Sequence, residues 1–544
     1  MSTQLLRCTA CNSLRKFVVL TALIGTALGL ATPASAAKTL LYCSEGSPEG
    51  FDPALYTSGT TFDASSRAVY NRLVEFDHGS TTIQPGLAER WQISDDGLEY
   101  TFYLRRDVSF HKTRFFTPSR DFNADDVVFS FKRQLLPNHP WHQYTTGTSW
   151  EYFQAMSMPS LLKDVVKIDD YTVKFVLNKP QAPMLANLAM DFASILSAEY
   201  AEQLLQQKRQ EQLNLAPVGT GPFFFVNYQK DAVIRYRAHP NYWAGKQPLD
   251  NLIFAITTDA SVRLQKLKAG ECHIMPYPNP ADIALIKKAP QLKLAQQQGL
   301  NVGYLAYNTQ QVPFDKPEVR RALNMAINKQ AILEAVFQGA GEPAKNPIPP
   351  TMWSYNDDIP ADEYNPEKAR ELLVKAGVKD LSMKIWAMPV QRAYNPNARR
   401  MAELIQADFA KVGIKVDIVS YEWGEYLSRS KAVDRDGAVL LGWTGDNGDP
   451  DNFLGVLLGC DGVGGSNRAQ WCNEEFDQLI NRAKSLSNQS ERAEIYRQAQ
   501  ELFKRESPWA TIAHSVVFMP MSKRVKNFHI DPLGYHRFDG VDIE

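Results

Sequence analysis

AVLLGWTGDNGDPDNF, residues 438–453, is the stretch from which the fold can be worked out. Residues 438–443 are an unbroken apolar run of strand length, the mark of a buried strand. The run opens at once into a loop with three carboxylates, Asp446, Asp449 and Asp451, and two glycines, Gly445 and Gly448. A strand that ends in negative charge is a seat for a cation. Upstream, residues 383–387 read as a second strand, and the loop after it, AMPVQRAYNPNARR at 387–400, carries Arg392, a seat for an anion. Residues 398–412 then read as a helix ended by Gly413, and 416–421 as a strand, a βαβ unit whose strands should be parallel with a right-handed crossover. In parallel α/β sheets, ligands bind beyond the carboxyl ends of strands. If 383–387 and 438–443 run the same way, Arg392 and Asp446 emerge at one rim, and their loops grip opposite ends of one small zwitterion.

Working outward, α/β alternation begins at Gly299. It predicts a strand at 300–307, a helix at 315–326 capped by Asp315, helices at 329–337 and 367–375, then helices at 474–484 and 491–505 and a strand at 510–518. Towards the N-terminus, 39–43 reads as a strand and 44–61 as a Gly/Ser/Thr/Pro-rich loop, either a surface connection or a backbone cradle beside a ligand. A helix at 64–73, strands at 98–104 and 108–110, a helix from 125, a strand at 252–256, a helix at 262–269 and an edge strand at 272–275 complete the reading. A lobe inserted in mid-chain needs two crossings, placed near Gly299 and Val516. The expected division is lobe I at 37–298 plus 517–544, with an inserted subdomain at about 70–220, and lobe II at 299–516.

The totals agree with more than one core: 544 residues, 44% hydrophobic and 22% charged. Residues 1–36 stand apart as a signal peptide, with Arg7, Arg15 and Lys16 before an apolar run at 17–30 and Ala34-Ser35-Ala36 as the cleavage pattern. Its removal takes three basic and no acidic residues, so the formal charge of −1 becomes about −4, which argues against a nucleic-acid partner. Cys8 and Cys11 leave with it. Cys43, Cys272, Cys460 and Cys472 remain, an even count that suggests two disulfides with three possible pairings. A Cys460–Cys472 bridge would close a small loop worth roughly 3 kcal/mol. No CxxC or paired-histidine spacing accompanies them, so no metal is expected there.

A family resemblance appears at Gly86-Leu87-Ala88-Glu89-Arg90-Trp91, Asp96-Gly97, Tyr100-Thr101-Phe102, Leu104-Arg105, Val108, Phe110-His111 and Ala124-Asp125-Asp126-Val127. In this order the motifs resemble the signature of the solute-binding proteins of peptide transporters, the extracytoplasmic family 5 type. Val218-Gly219-Thr220-Gly221-Pro222-Phe223 and Asn241-Tyr242-Trp243 fit it too, whereas Lys112-Thr113 departs from its Asp-Gly. Stretches 43–51, 277–283, 299–304 and the two loops above are most similar to its dipeptide-binding members. The resemblance implies a two-lobed α/β periplasmic binding protein, type II and cluster C-like, with an extra N-terminal subdomain. It implies a dipeptide ligand whose α-ammonium meets Asp446 and whose α-carboxylate meets Arg392, and pairing of Cys43 with Cys272 and of Cys460 with Cys472. Its partners would be an inner-membrane ABC transporter permease and, in some members, a chemoreceptor; a monomer without cofactor is expected.

Physically the scheme is sound, because burying opposite charges is costly unless each meets a partner. Trp443 and Tyr394 would be apolar walls, or else core and loop packing. Gly59 and Thr60, in the 57–61 loop of the other lobe, would be lid contacts whose amides join Arg392 at the carboxylate. Against ligand roles stand a surface salt bridge for Arg392, and capping or calcium for Asp446, Asp449 and Asp451, although the EF-hand pattern fails. His139 and His142 read as surface residues. No HExxH, GxSxG or Walker pattern supports a hydrolase or NTPase, so the chain is expected not to be an enzyme. The alternatives are a haem- or glutathione-binding member of the same family and, in another class, an exported peptidase.

Overall fold

The computed structural model describes residues 37–544 apart from 146, 148 and 487, so the 1–36 segment lies outside the described residues. Lys38–Glu544 forms one compact unit. Its largest sheet has the order 292–298, 509–522, 301–307, 438–444, 382–386, 415–419. Ser382–Trp386 is parallel to both Lys415–Val419 and Ala438–Thr444, with the helix Ala398–Lys411 between the first two, which is the βαβ arrangement read from the sequence. Every residue of the neighbouring strand Asn301–Tyr307 is buried, as befits a strand with layers on both faces.

A second sheet joins the parallel pair Thr39–Tyr42 and Asn251–Ala255 to the antiparallel strands Val233–Ala238 and Phe223–Gln229. The strand Trp509–Ser522 links the two regions. Its first half pairs with 301–307, its second half with Leu292–Gln298, and Met521 bridges Ile274, which bridges Tyr42. Between the halves, Gly299 donates its N–H to Ser515 O at 3.0 Å, and Asn301 Oδ1 accepts from the Ser515 N–H at 3.0 Å. A third, antiparallel sheet of 88–93, 99–104, 172–177 and 162–169 packs under the helix Ala124–Leu135, which Asn123 and Asp126 close with a reciprocal capping box.

Several local expectations change. The helix read at 64–73 is two short ones, Gly59–Ala64 and Ser66–Val69, so residues 59–61 open a helix rather than close a loop. Ser65 and Ser66 return their hydroxyls to Thr61 O and Phe62 O, and such back-bonding bends a helix. Asp315 does not cap the helix Pro317–Ala326, whose N-cap is Lys316. Residues 272–275 are no edge strand: Cys272 and Ile274 are buried, with Ile274 bridged on both sides. Residues 108–110 form no strand. Cys43 is bonded to Cys272 and Cys460 to Cys472.

Candidate functional site

Two glycines in register seat one end of the site. Gly303 and Gly442 face each other across strands 301–307 and 438–444. A side chain at Gly303 would collide with the Tyr394 carbonyl, and one at Gly442 with the Tyr394 ring. Tyr394 therefore packs directly against the sheet, and mutual backbone hydrogen bonds between Arg392 and Asn395 close the tight turn that carries Arg392. The Arg392 guanidinium is buried and already engaged. Its Nη1 donates to Glu45 Oε1 at 3.0 Å, its Nη2 to Thr60 Oγ1 at 2.9 Å, and the Tyr277 and Trp423 rings flank it at 5.3 and 5.1 Å. Burial disfavours its charge, but Glu45 holds the pKa above the usual guanidinium range.

The other end follows the 438–444 strand. Asp446 is buried, and its Oδ2 accepts from the Tyr152 hydroxyl at 2.5 Å and from Asn452 Nδ2 at 3.3 Å. Asn452 Oδ1 in turn receives the Asp446 N–H at 2.8 Å and the Trp443 indole N–H at 3.1 Å, which orients both residues. Asp446 Oδ1 makes no hydrogen bond with any described residue. Among the described residues no cation is ion-paired with the carboxyl; burial, with the Asp191 carboxylate adding to it, pushes it up to about 7 against the opposing pull of Tyr152, Asn452 and the nearby Arg67. Burial and Asp446 raise the Tyr152 phenol well above its usual value, so the shared proton stays on Tyr152.

Arg392 and Asp446 line the same cavity of about 100 Å³, with Tyr394, Trp443 and Gly59 on its walls. That is several times the space one water needs. Thr60 is not on the cavity wall itself but touches Arg392, which is. Asp449 and Asp451 turn away to Arg492, at 2.6 Å, and Lys484, at 3.7 Å; no group of three metal-ligating side chains occurs among the described residues. His139 and His142 are half-buried, away from the cavity. Glu45, Tyr152, Tyr277, Trp423 and Arg468 also belong to the site and were not singled out from the sequence as site residues. Glu45 sits within the family-like 43–51 stretch, the one signal that pointed towards it, whereas Tyr152 lies in a short helix, Glu151–Ala155, with no motif around it.

Residues 82–465 match the family described as "Bacterial extracellular solute-binding proteins, family 5 Middle". The chain belongs to this family. It is 56% identical to the dipeptide-binding protein of Escherichia coli K12 over 93% of this chain and 95% of that protein. It is 54% identical to heme-binding protein A of Haemophilus influenzae over 94% of this chain and 93% of that one. A crystal structure of the dipeptide-binding protein of Pseudoalteromonas sp. SM9913 in complex with Met-Leu superposes with a TM-score of 0.90 at 37% identity, covering 93% of this chain and all of that one. Members of the family are two-lobed α/β solute-binding proteins, and the sheets described above have that form.

Proposed function

We propose that this chain captures dipeptides between two lobes and delivers them to an ABC transporter. The observation that carries it is one cavity with, at one end, a buried carboxyl that has no ion-paired cation among the described residues and, at the other, a buried guanidinium. The α-ammonium pairs with Asp446 and the α-carboxylate joins Thr60 at Arg392, with the amides of Gly59 and Thr60 at the start of their helix as further donors. Beyond Val439 the 438–444 strand has no strand partner on its 382–386 side, leaving the backbone groups of Gly442, which point to that edge, for the ligand's peptide link. The lobes are 37–298 plus 517–544, carrying a subdomain at about 70–220, and 299–516; the chain crosses between them at Gly299 and beside Ser515. Closure buries the ligand, and the transporter reads the closed form. Residues 1–36 are the signal for export to the periplasm, no chemistry is done on the peptide, and the protein acts as a monomer.

The 54% identity to a heme-binding relative favours haem as the second reading. Ligand-stripped protein titrated with alanyl-alanine should bind it with a saturable heat. Haem should give no Soret shift that the dipeptide displaces. A displaceable Soret band with no dipeptide heat would keep the fold and overturn the cargo.

A further inference from the structure

The cavity contains more cation than the two ends of a zwitterion require. Besides Arg392 it is lined by Arg67 and Arg468. Arg67 is engaged at both terminal nitrogens by carboxylates, Asp63 at 2.5 Å and Asp191 at 3.2 Å, which neutralise it. Arg468 is different: its Nε donates to Ser430 Oγ at 3.0 Å and its Nη1 to Glu151 Oε1 at 3.4 Å and to Gly465 O, while its Nη2 makes no hydrogen bond with any described residue. The side chain is only 4% exposed. The free Nη2 opens onto the cavity rather than being sealed in the protein, so a ligand acceptor there would take the place of water, and a charged acceptor gains most.

The arm that presents Arg468 is stiff. The Cys460–Cys472 disulfide closes its loop, Asn467 Nδ2 bonds Gly459 O at 3.1 Å and Trp471 O at 2.7 Å, and Arg435 holds the Arg468 carbonyl at 2.8 Å. Locally the charge does not cancel. One carboxylate, Glu151, faces both Lys431 and Arg468 and also accepts from Ser466 at 2.9 Å. Burial alone would raise the Glu151 carboxyl, yet the two cations bring it down to about 2, so it stays a single negative charge against two positive ones. Burial pushes the nearby Glu49 up to about 7, so at neutral pH it offsets part of the excess and leaves a net positive charge.

We propose that Arg468 is a specificity-determining residue whose Nη2 hydrogen-bonds an acidic side chain of the bound peptide, so that the cavity selects dipeptides containing Asp or Glu over their isosteric amides. This rests on the dipeptide reading above. The purely structural alternative, in which Arg468 only ties Glu151 to the opposite lobe, would change the affinity of every dipeptide by the same factor.

The test is calorimetric titration of ligand-stripped protein with alanyl-alanine and with two matched pairs, Ala-Asp against Ala-Asn and Asp-Ala against Asn-Ala. In at least one order the acid should bind about tenfold tighter than the amide, the effect of one charge-assisted hydrogen bond. Arg468→Met should bring that ratio to about one, and Glu151→Gln, which removes the competing carboxylate, should raise it. If the Met variant does not fold, Arg468→Lys, which lacks the fork, should lower the ratio instead. Equal binding of acid and amide in both orders, or a ratio unchanged by substitution at Arg468, would overturn the inference while alanyl-alanine binding left the dipeptide reading intact. Failure of every dipeptide, alanyl-alanine included, would overturn both.

Discussion

The two ends of the cavity are built on opposite principles. At Arg392 the protein supplies its own counter-charge, since Glu45 and Thr60 already hold the guanidinium, and the charge is settled before any ligand arrives. At Asp446 the partners are a phenol and an amide, both neutral, and the carboxyl rises to about 7. One end is a finished ion pair with room for another acceptor; the other is an ion pair waiting for its cation. On the proposed dipeptide reading, the difference makes the ligand's ammonium group, rather than its carboxylate, the part that completes an unsatisfied site.

The sharpest way to break this comparison is to unmake the finished pair. Arg392→Met removes the ion-pair partner of the buried Glu45, leaving it the more distant Arg263 and the Thr60 hydroxyl, and should cost about 3 kcal/mol of stability in the ligand-free protein, measured by urea unfolding. Arg392→Met with Glu45→Gln should recover most of it; no recovery would mean that Glu45 is not the partner that matters. At the unfinished end the pattern should invert. Asp446→Asn should remove about 2 kcal/mol of dipeptide affinity, roughly thirty-fold, by calorimetry. Its ligand-free stability at pH 8 should equal or exceed that of the native protein. The sign follows from linkage: an acid whose folded value lies above its unfolded one costs stability as pH rises through that interval, and asparagine escapes the cost.

A smaller effect separates the ends by pH. Below about 7 the free Asp446 carboxyl is protonated and must release its proton to pair with an ammonium, so dipeptide affinity should fall towards about tenfold per unit as pH drops from 7 to 5. At pH 6, titrations in buffers of different ionisation enthalpy should report close to one proton released. Arg392 titrates far above this range and adds nothing to it. The smallest effect concerns Tyr152. Tyr152→Phe removes the hydrogen bond that favours the carboxylate, raising the Asp446 value further and weakening binding at pH 7 by about 1 kcal/mol. An unchanged pH profile would show that Tyr152 packs without tuning.

What the sequence made legible was local and periodic. The apolar run at 438–443, the helix read at 398–412 and the strand read at 416–421 carry their own spacing and caps, and a parallel βαβ unit follows from them with its rim. From that rim, Arg392 and Asp446 could be brought to one place without any contact being known. Glu45 and Tyr152 could not. They meet Arg392 and Asp446 across separations of 347 and 294 residues, and neither sits in a pattern that reports such a contact. The Ser65 break was hidden for another reason: Ser65 and Ser66 look neutral in a helical stretch until their hydroxyls return to the preceding turn. The glycines at 303 and 442 carry no meaning singly; paired across the sheet they decide where Tyr394, and so Arg392, can lie.

The two-ended grip is tested most directly by blocking one ligand charge at a time. Alanyl-alanine, its N-acetyl derivative and its C-terminal amide should be titrated into the ligand-stripped protein at pH 7.5, with Asp446→Asn alongside. Both blocked ligands should bind more weakly than alanyl-alanine, with the N-acetyl derivative losing more, and Asp446→Asn should erase most of the difference between the free and the acetylated peptide. If the acetylated peptide binds the native protein as tightly as the free one, Asp446 does not hold an ammonium and the account is wrong.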